Sequence, residues 1–500
     1  MNRTVSRVMQ TEAGRRWGFG LIAGVGAVML ALFAYLALSA VRLRLLILGL
    51  GGSVLLPALL LPPIETALAL TLTLSPGRSL STQPIITLLV AVVAGRWLLA
   101  TVLKGRYRAF GPQWEWRLPN GDLRFAPLPW LVIAFVGIVL AAYIHVPADY
   151  NYKYVVSVTK VITFVIFFVL VVTTVDDEAK FHRVLQGVMA VGVIVVIVGV
   201  LQLLFPALEL NPALFPDKFQ STGETFWVSF RQLGNVSFFR ISSLFTYVNS
   251  FAGALALLIP LQGYYLFCAR SVRRRALYGV LIVASLVCFV ATIDRSAWLS
   301  FGIGMIYFLF RSRLITPSRR ALLFSTLGAT IVLLGFGASR LLGTGYLVAR
   351  FAELLNPEQL SSVMTRATTY QYTLKSWVEH PFLGHGVPQM MKAWPFAPLP
   401  LGSHSVYLYH LYCQGLIGLF LFVAILWVVW REAGFGRPRS PSVATFHGLR
   451  EIIFLDVVIF TAHSLLISYE AGQGLYGLLV WTILGLAIAG GTITRRRAAA

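Results

Sequence analysis

Apolar runs long enough to cross a lipid bilayer recur along this chain from end to end, and they leave it few folds to choose from. A hydrocarbon core of ~30 Å needs about 20 apolar residues in helical form. Inside it every backbone N–H and C=O must be bonded internally, which a helix does within its own segment. Such runs fall near 85–103, 128–145, 154–172, 184–204, 243–267, 276–293, 297–310, 321–338, 404–430, 452–468 and 475–490. The stretch 17–40 is too long for a cleaved signal core of ~7 to 15 residues and reads as an uncleaved first span. The expected fold is an all-α polytopic integral membrane protein of about 12 to 14 transmembrane helices. The short stretch 66–75 leaves the count open near the start.

Forty-one Lys and Arg stand against nineteen Asp and Glu among 500 residues, an excess that could serve nucleic acid or topology. The basic residues cluster between apolar runs rather than along one face, so they read as cytoplasmic loop markers and no nucleic acid is expected. Clusters at 270–275, 311–320, 431–450 and 495–497 then fix the sides. The turn Asp294-Arg295-Ser296, between two runs that follow the first cluster, faces outward, and both termini lie inside. The division expected is residues 1–205, N-terminal transmembrane helices; 206–242, a smaller extracytoplasmic loop; 243–338, transmembrane helices; 339–403, a large extracytoplasmic loop; and 404–500, C-terminal transmembrane helices. Cys268, Cys288 and Cys413 lie in apolar runs, so no disulfide or metal framework is expected.

Arg240, Arg295 and Arg366 fall on the outer side, where arginine should be scarce. The large loop carries Arg340, Arg350, Arg366, Lys375 and Lys392 against Glu353, Glu358 and Glu379, too few carboxylates to pair them. Each arginine could be an interfacial anchor; together, guanidinium forks at headgroup depth suit a lipid-linked phosphate or diphosphate. His404 sits where the large loop meets the run Ser405-Val406-Tyr407-Leu408, as an interfacial polar residue or as a proton carrier near neutrality. At helical spacing His404, Leu408, Leu411, Gly415 and Gly418 share a face, and the two glycines permit close helix packing.

Residues 363–378 read as an amphipathic helix with Val363, Ala367, Tyr370, Leu374 and Trp377 on one face and Arg366 near its boundary, suited to lie along a membrane. The residues from His380 to Gly386 end it with a turn. Asp456 and His463, seven apart, share a face and offer either a proton path, as in a transporter, or a buried polar contact. Asp176-Asp177-Glu178 could hold metal but falls on the inner side. Outside there is no DxD or His/Asp cluster of metal spacing, so metal-independent chemistry without a cofactor is expected.

Four stretches stand in order: Arg240-Ile241-Ser242-Ser243-Leu244-Phe245 with Asn249-Ser250-Phe251-Ala252 and Pro260; Asp294-Arg295-Ser296-Ala297-Trp298; Arg366 with Trp377 and His380-Pro381-Phe382-Leu383-Gly384-His385-Gly386; and His404-Ser405-Val406-Tyr407-Leu408 with Gly415 and Gly418. Together they resemble the O-antigen ligase and O-antigen polymerase superfamily of bacterial membrane glycosyltransferases. The second is similar to its Ser-Arg-Gly turn with both neighbours of the arginine changed, and the fourth to its His-Asn signature with serine in place of asparagine.

The resemblance implies a GT-C-like architecture in the bacterial inner membrane. It also implies inverting transfer of a glycan from undecaprenyl diphosphate to an acceptor hydroxyl at the outer face, in O-antigen or exopolysaccharide polymerisation or ligation. By position, Arg295 and Arg366 would hold the diphosphate, Arg240 would assist, His404 would be the catalytic base, and Arg350, Asn249 and Tyr407 would support them. The implied partners are the lipid-linked donor, a glycan or lipid A core acceptor, membrane lipid and other polysaccharide assembly proteins. A protein O-glycan transferase of the same superfamily is one alternative. A polysaccharide or lipid transporter (flippase) is another, though paired repeats and broken helices, which a transporter would show, are not expected here.

Overall fold

The computed structural model describes residues 63–74, 83–103, 116–117, 124–125, 127–205, 230–233, 236–245, 247–311, 361–386, 405–434, 446–467 and 473–499. The runs expected at 17–40 and 321–338 lie outside these residues, and so do His404 and Arg350. The described helices are α1 (Ile64–Leu74), α2 (Gln83–Leu103), α3 (Pro127–Ala141), α4 (Asn151–Thr174), α5 (Glu178–Leu204), α6 (Val248–Cys268) and α7 (Val272–Ala291). They continue with α8 (Arg295–Arg311), α9 (Ser361–Trp377), α10 (Val406–Gly434), α11 (Phe446–Ser464) and α12 (Gln473–Ala499). Two short antiparallel hairpins add strands to the all-α expectation without altering the helical frame. In one, β1 (Trp116–Arg117) pairs β2 (Arg124–Phe125); in the other, β3 (Phe230–Leu233) pairs β4 (Val236–Phe239) in register from Phe230 opposite Phe239 to Leu233 opposite Val236.

Seven of the described helical stretches are long and apolar enough to cross a membrane, which makes this a polytopic helical membrane protein by length and composition. The most enclosed is α12, whose apolar stretch is buried throughout and packs on α4, α10 and α11. Small residues let it in: a Cβ at Gly477 would lie 2.7 Å from the Phe164 ring, and one at Gly485 would lie 2.8 Å from Val171 Cγ1. At the periphery, α7 exposes Leu277, Val280 and Val283, an apolar face that lipid can cover.

Polar side chains gather at the two ends of this bundle. At one end Asp177 caps α5 by accepting from the Lys180 N–H at 2.8 Å, Glu178 pairs with Arg497 at 2.6 Å, and Lys180 pairs with Asp176. Glu65 with Arg183 and Glu432 with Arg495 complete that end, together with buried Arg450, which donates to Thr494 Oγ1 at 2.7 Å. The acidic triplet weighed as a metal candidate is thus engaged in a helix cap and ion pairs. Helices α5, α10, α11 and α12 run from this end to a second one, where Gln202, Ser405, His463 and Tyr476 lie.

Helix α10 is broken at Gly415, whose φ of 66° and ψ of −167° are non-helical. This corrects the expectation of an unbroken helix with Gly415 as a packing glycine. The turn 381–386 fills the gap: the N–H groups of His385 and Gly386 donate to Tyr412 O and Cys413 O, both at 2.8 Å, while Leu416 and Ile417 donate to Pro381 O at 2.8 Å and Phe382 O at 3.3 Å. Backbone groups that a break would strand are thereby satisfied inside the protein. The break therefore pins the turn after α9 to a membrane helix instead of lining an open path.

Candidate functional site

The turn joining α7 to α8 is strained. Ile293 has φ of 53°, a value that a β-branched residue rarely adopts, and nearby Ser243, ahead of α6, has φ of 50°. Such residues cost ~1 to 3 kcal/mol each and persist where surrounding contacts over-determine them. For Ser243 those contacts are plain: Gln202 Oε1 accepts from its N–H at 2.7 Å, Gln202 Nε2 donates to its carbonyl at 3.2 Å, and its Oγ donates to Val195 O at 2.6 Å. The turn at Ile293 is held by Arg240, whose Nε donates to Thr292 O at 2.7 Å.

Arg240 also donates to Asn249 Oδ1 at 3.4 Å and lies 4.0 Å from Asp294 Oδ2. Asp294, 4% exposed, caps α8: its Oδ1 accepts from Ser296 Oγ and, at 3.1 Å, from the Ala297 N–H. Burial pushes the Asp294 carboxyl up, but Arg240, His463 and those two hydrogen bonds outweigh it and hold the group below its ordinary value.

Arg366 approaches from α9, half-buried. That helix turns Thr369, Thr373 and Ser376 inward and leaves Leu374 exposed, so its apolar face points away from the protein as a helix lying on lipid requires. Tyr370 Oη donates to Leu465 O at 3.3 Å, which ties α9 to the end of α11. His463, on the last turn of α11, is in electrostatic contact with both Arg366 and Asp294. Three separate segments therefore converge: 240–249, 292–296 and α9.

The start of α10 borders this convergence. Ser405 caps the helix by accepting from the Leu408 N–H at 3.4 Å and donates to Ser464 O at 3.5 Å. Serine caps a helix as well as asparagine does, and Ser405 fills that role at the start of α10. Tyr407 Oη donates to Thr461 O at 3.3 Å, a brace between α10 and α11.

The turn after α9 is set among three histidines. His145 Nδ1 lies 2.8 Å from Gly384 O and its ring stacks on His380 at 4.0 Å, while His385 Nε2 lies 2.8 Å from Ser376 O. Burial, His145 and His385 all push the His380 imidazole below its ordinary value, which favours the neutral ring.

Of the candidate residues, Arg240, Asn249 and Arg366 are brought to one end, and half-buried Arg295 opens α8 directly after Asp294. Tyr407 braces the neighbouring helix pair. His404 and Arg350 fall outside the described residues, though His404 directly precedes the capping Ser405. Sequence reasoning missed Asp294 as the partner of Arg240, and it read the outer arginines as short of carboxylates. The cue was present: an aspartate two residues before a serine and three before a helical N–H is a capping pattern. Asp456 and His463 make no bond to each other, since seven helical residues separate them by ~10 Å along the axis. Asp456 is fully buried with neither oxygen hydrogen-bonded among the described residues, while His463 pairs with Tyr476.

The Asp294 pairing has a measurable consequence. A carboxyl whose folded value is depressed adds stability above its unfolded value, and that stability is lost as pH falls through the folded one. Thermal unfolding in detergent should therefore show a Tm that drops on acidification below about pH 4, and Asp294→Asn should flatten that drop. An acid dependence unchanged by the substitution would contradict the pairing.

Residues 241–423 match the family model described as O-Antigen ligase, an interval that takes in the strained turns, α6 to α9 and the broken part of α10. No curated protein matches the chain. The match supports membrane glycosyltransferase chemistry of the ligase and polymerase type.

Proposed function

We propose that this chain, whose residues 241–423 carry the O-antigen ligase match, transfers glycan from undecaprenyl diphosphate to an acceptor hydroxyl at the outer face of the bacterial inner membrane. The observation that carries the reading is the convergence of Arg240, Arg366, Asp294 and His463 beside the start of α10. The opposite end holds Arg495, Arg496 and Arg497, which the positive-inside rule assigns to the cytoplasm together with both termini.

In this reading the acceptor oxygen attacks the anomeric carbon while the bond from that carbon to the diphosphate oxygen breaks. The acceptor's proton passes to the His404 imidazole, and undecaprenyl diphosphate leaves with the bonding electrons. Attack opposite the leaving group inverts the anomeric centre. Arg366 and Arg295 bind the diphosphate and offset the charge that grows on it, while Arg240, fixed by Thr292, Asn249 and Asp294, assists. Guanidinium groups held in place supply charge that a metal ion supplies in other transferases, so turnover should persist in chelator.

The acceptor is a lipid-linked glycan in a polymerase or a lipid A core in a ligase. A protein hydroxyl is the alternative within the superfamily. The break in α10 is a feature one would seek in a transporter, but a turn of the same chain fills it with four backbone hydrogen bonds, which favours the transferase.

Surface polysaccharide analysis of a deletion strain complemented with His404→Ala tests this. The variant, at wild-type membrane abundance, should leave the defect uncorrected. A lipid-linked single unit left behind identifies a polymerase, and an unattached long chain a ligase. Full correction by His404→Ala would sink the assigned mechanism.

A further inference from the structure

His463 lies beyond the matched residues 241–423, and its sequence pattern offers a proton path or a buried polar contact with Asp456. It is 1% exposed, its Nδ1 lies 2.9 Å from Tyr476 Oη, and its Nε2 has no hydrogen-bond partner among the described residues. Gly253 of α6 makes room for the ring: a Cβ there would sit 2.6 Å from His463 Cε1 and 2.8 Å from Tyr476 Oη. The imidazole is thus held between α6 and α12 with one nitrogen engaged and the other left over.

An unsatisfied buried polar atom costs ~1 to 3 kcal/mol, and an apolar side chain here would avoid that cost. The ring that carries this nitrogen is in electrostatic contact with Asp294 and Arg366. A polar occupant arriving with the substrate would account for it.

We propose that His463 Nε2 donates a hydrogen bond to a phosphoryl oxygen of the lipid-linked diphosphate, with the Tyr476 hydroxyl donating to Nδ1 and thereby keeping the proton on Nε2. This rests on the donor assigned above. A diphosphate presents several anionic oxygens that act only as acceptors, more than two guanidinium forks saturate. Asp294 does not compete for the proton or repel the ligand strongly, because Arg240 stands beside it and Ser296 and Ala297 take up its other oxygen. His463 is then a binding residue for the leaving group, contributed by a helix outside the matched region.

The test uses full-length protein in nanodiscs, with undecaprenyl diphosphate and undecaprenyl monophosphate as probes and binding read by native mass spectrometry. A glutamine amide reaches the place of Nε2, whereas an asparagine amide reaches only that of Nδ1. His463→Asn should weaken diphosphate binding ~10-fold or more, the range of one hydrogen bond to a charged group. His463→Gln should stay within about threefold of wild type, and Tyr476→Phe, which leaves the imidazole in place, should fall between them, since tenfold corresponds to ~1.4 kcal/mol. The monophosphate should respond less than the diphosphate.

Equal weakening by Asn and Gln, or no weakening by Asn and by Tyr476→Phe, would overturn the assignment and leave His463 a packing residue. Wild-type protein that binds neither lipid would instead overturn the donor assignment, and this one with it.

Discussion

Arg366→Ala is expected to lower glycan transfer ~10²- to 10³-fold, the usual cost of removing one fixed donor from a site where charge develops. Arg366 stands on α9, whose inward Thr369, Thr373 and Ser376 face and whose Tyr370 bond to Leu465 hold it against α10 and α11. Among the described residues these contacts are made without the guanidinium, so the variant should insert and fold. Arg366→Lys keeps the charge but not the planar fork, and should recover only part of the rate. The check is product formed per unit of membrane-inserted protein. A rate within threefold of wild type for Arg366→Ala would remove Arg366 from the proposed diphosphate site.

Gly415→Ala should cause the largest loss of stability of any single methyl addition near the site. Its backbone, at φ 66° and ψ −167°, lies in a region essentially restricted to glycine. A Cβ there would sit 2.2 Å from both the carbonyl carbon and the oxygen of Phe382, which are backbone atoms and cannot swing aside. Strain of ~1 to 3 kcal/mol and overpacking of similar size would act together. Gly302→Ala in α8 is the control, because a Cβ at that position meets none of the described residues within 4 Å. Membrane abundance and Tm in detergent should fall sharply for Gly415→Ala and stay near wild type for Gly302→Ala. Similar values for the two would mean that the turn 381–386 is not locked into α10.

Much of this arrangement is legible in the sequence because hydrocarbon imposes a simple rule on it. The described helices α4, α5, α7, α10 and α12 overlap the apolar runs read from the sequence, and Arg240, Asn249 and Arg366 do lie at a common end. What was hidden depends on contacts between segments far apart in the chain. Gly415 at helical spacing looks like a packing glycine, and only the turn that enters beside it shows that it ends a helix. Asp294 reads as a loop aspartate until Arg240, 54 positions earlier, is seen beside it. His463 reads with Asp456 on helical periodicity, yet its bonded neighbour is Tyr476 on the next helix. The orientation of α9, by contrast, follows from its amphipathic pattern: Thr369, Thr373 and Ser376 turn inward and Leu374 outward, as in a helix lying along a membrane and the reverse of a helix in water.

The most direct measurement uses purified protein in liposomes with the lipid-linked glycan that accumulates in the deletion strain, following release of undecaprenyl diphosphate alongside growth of the product. Wild-type protein should release one undecaprenyl diphosphate for each glycan transferred, with or without chelator, while His404→Ala should still bind the donor but release almost none. Glycan appearing on the far side of the membrane with its diphosphate lipid intact would contradict transfer and make the chain a transporter.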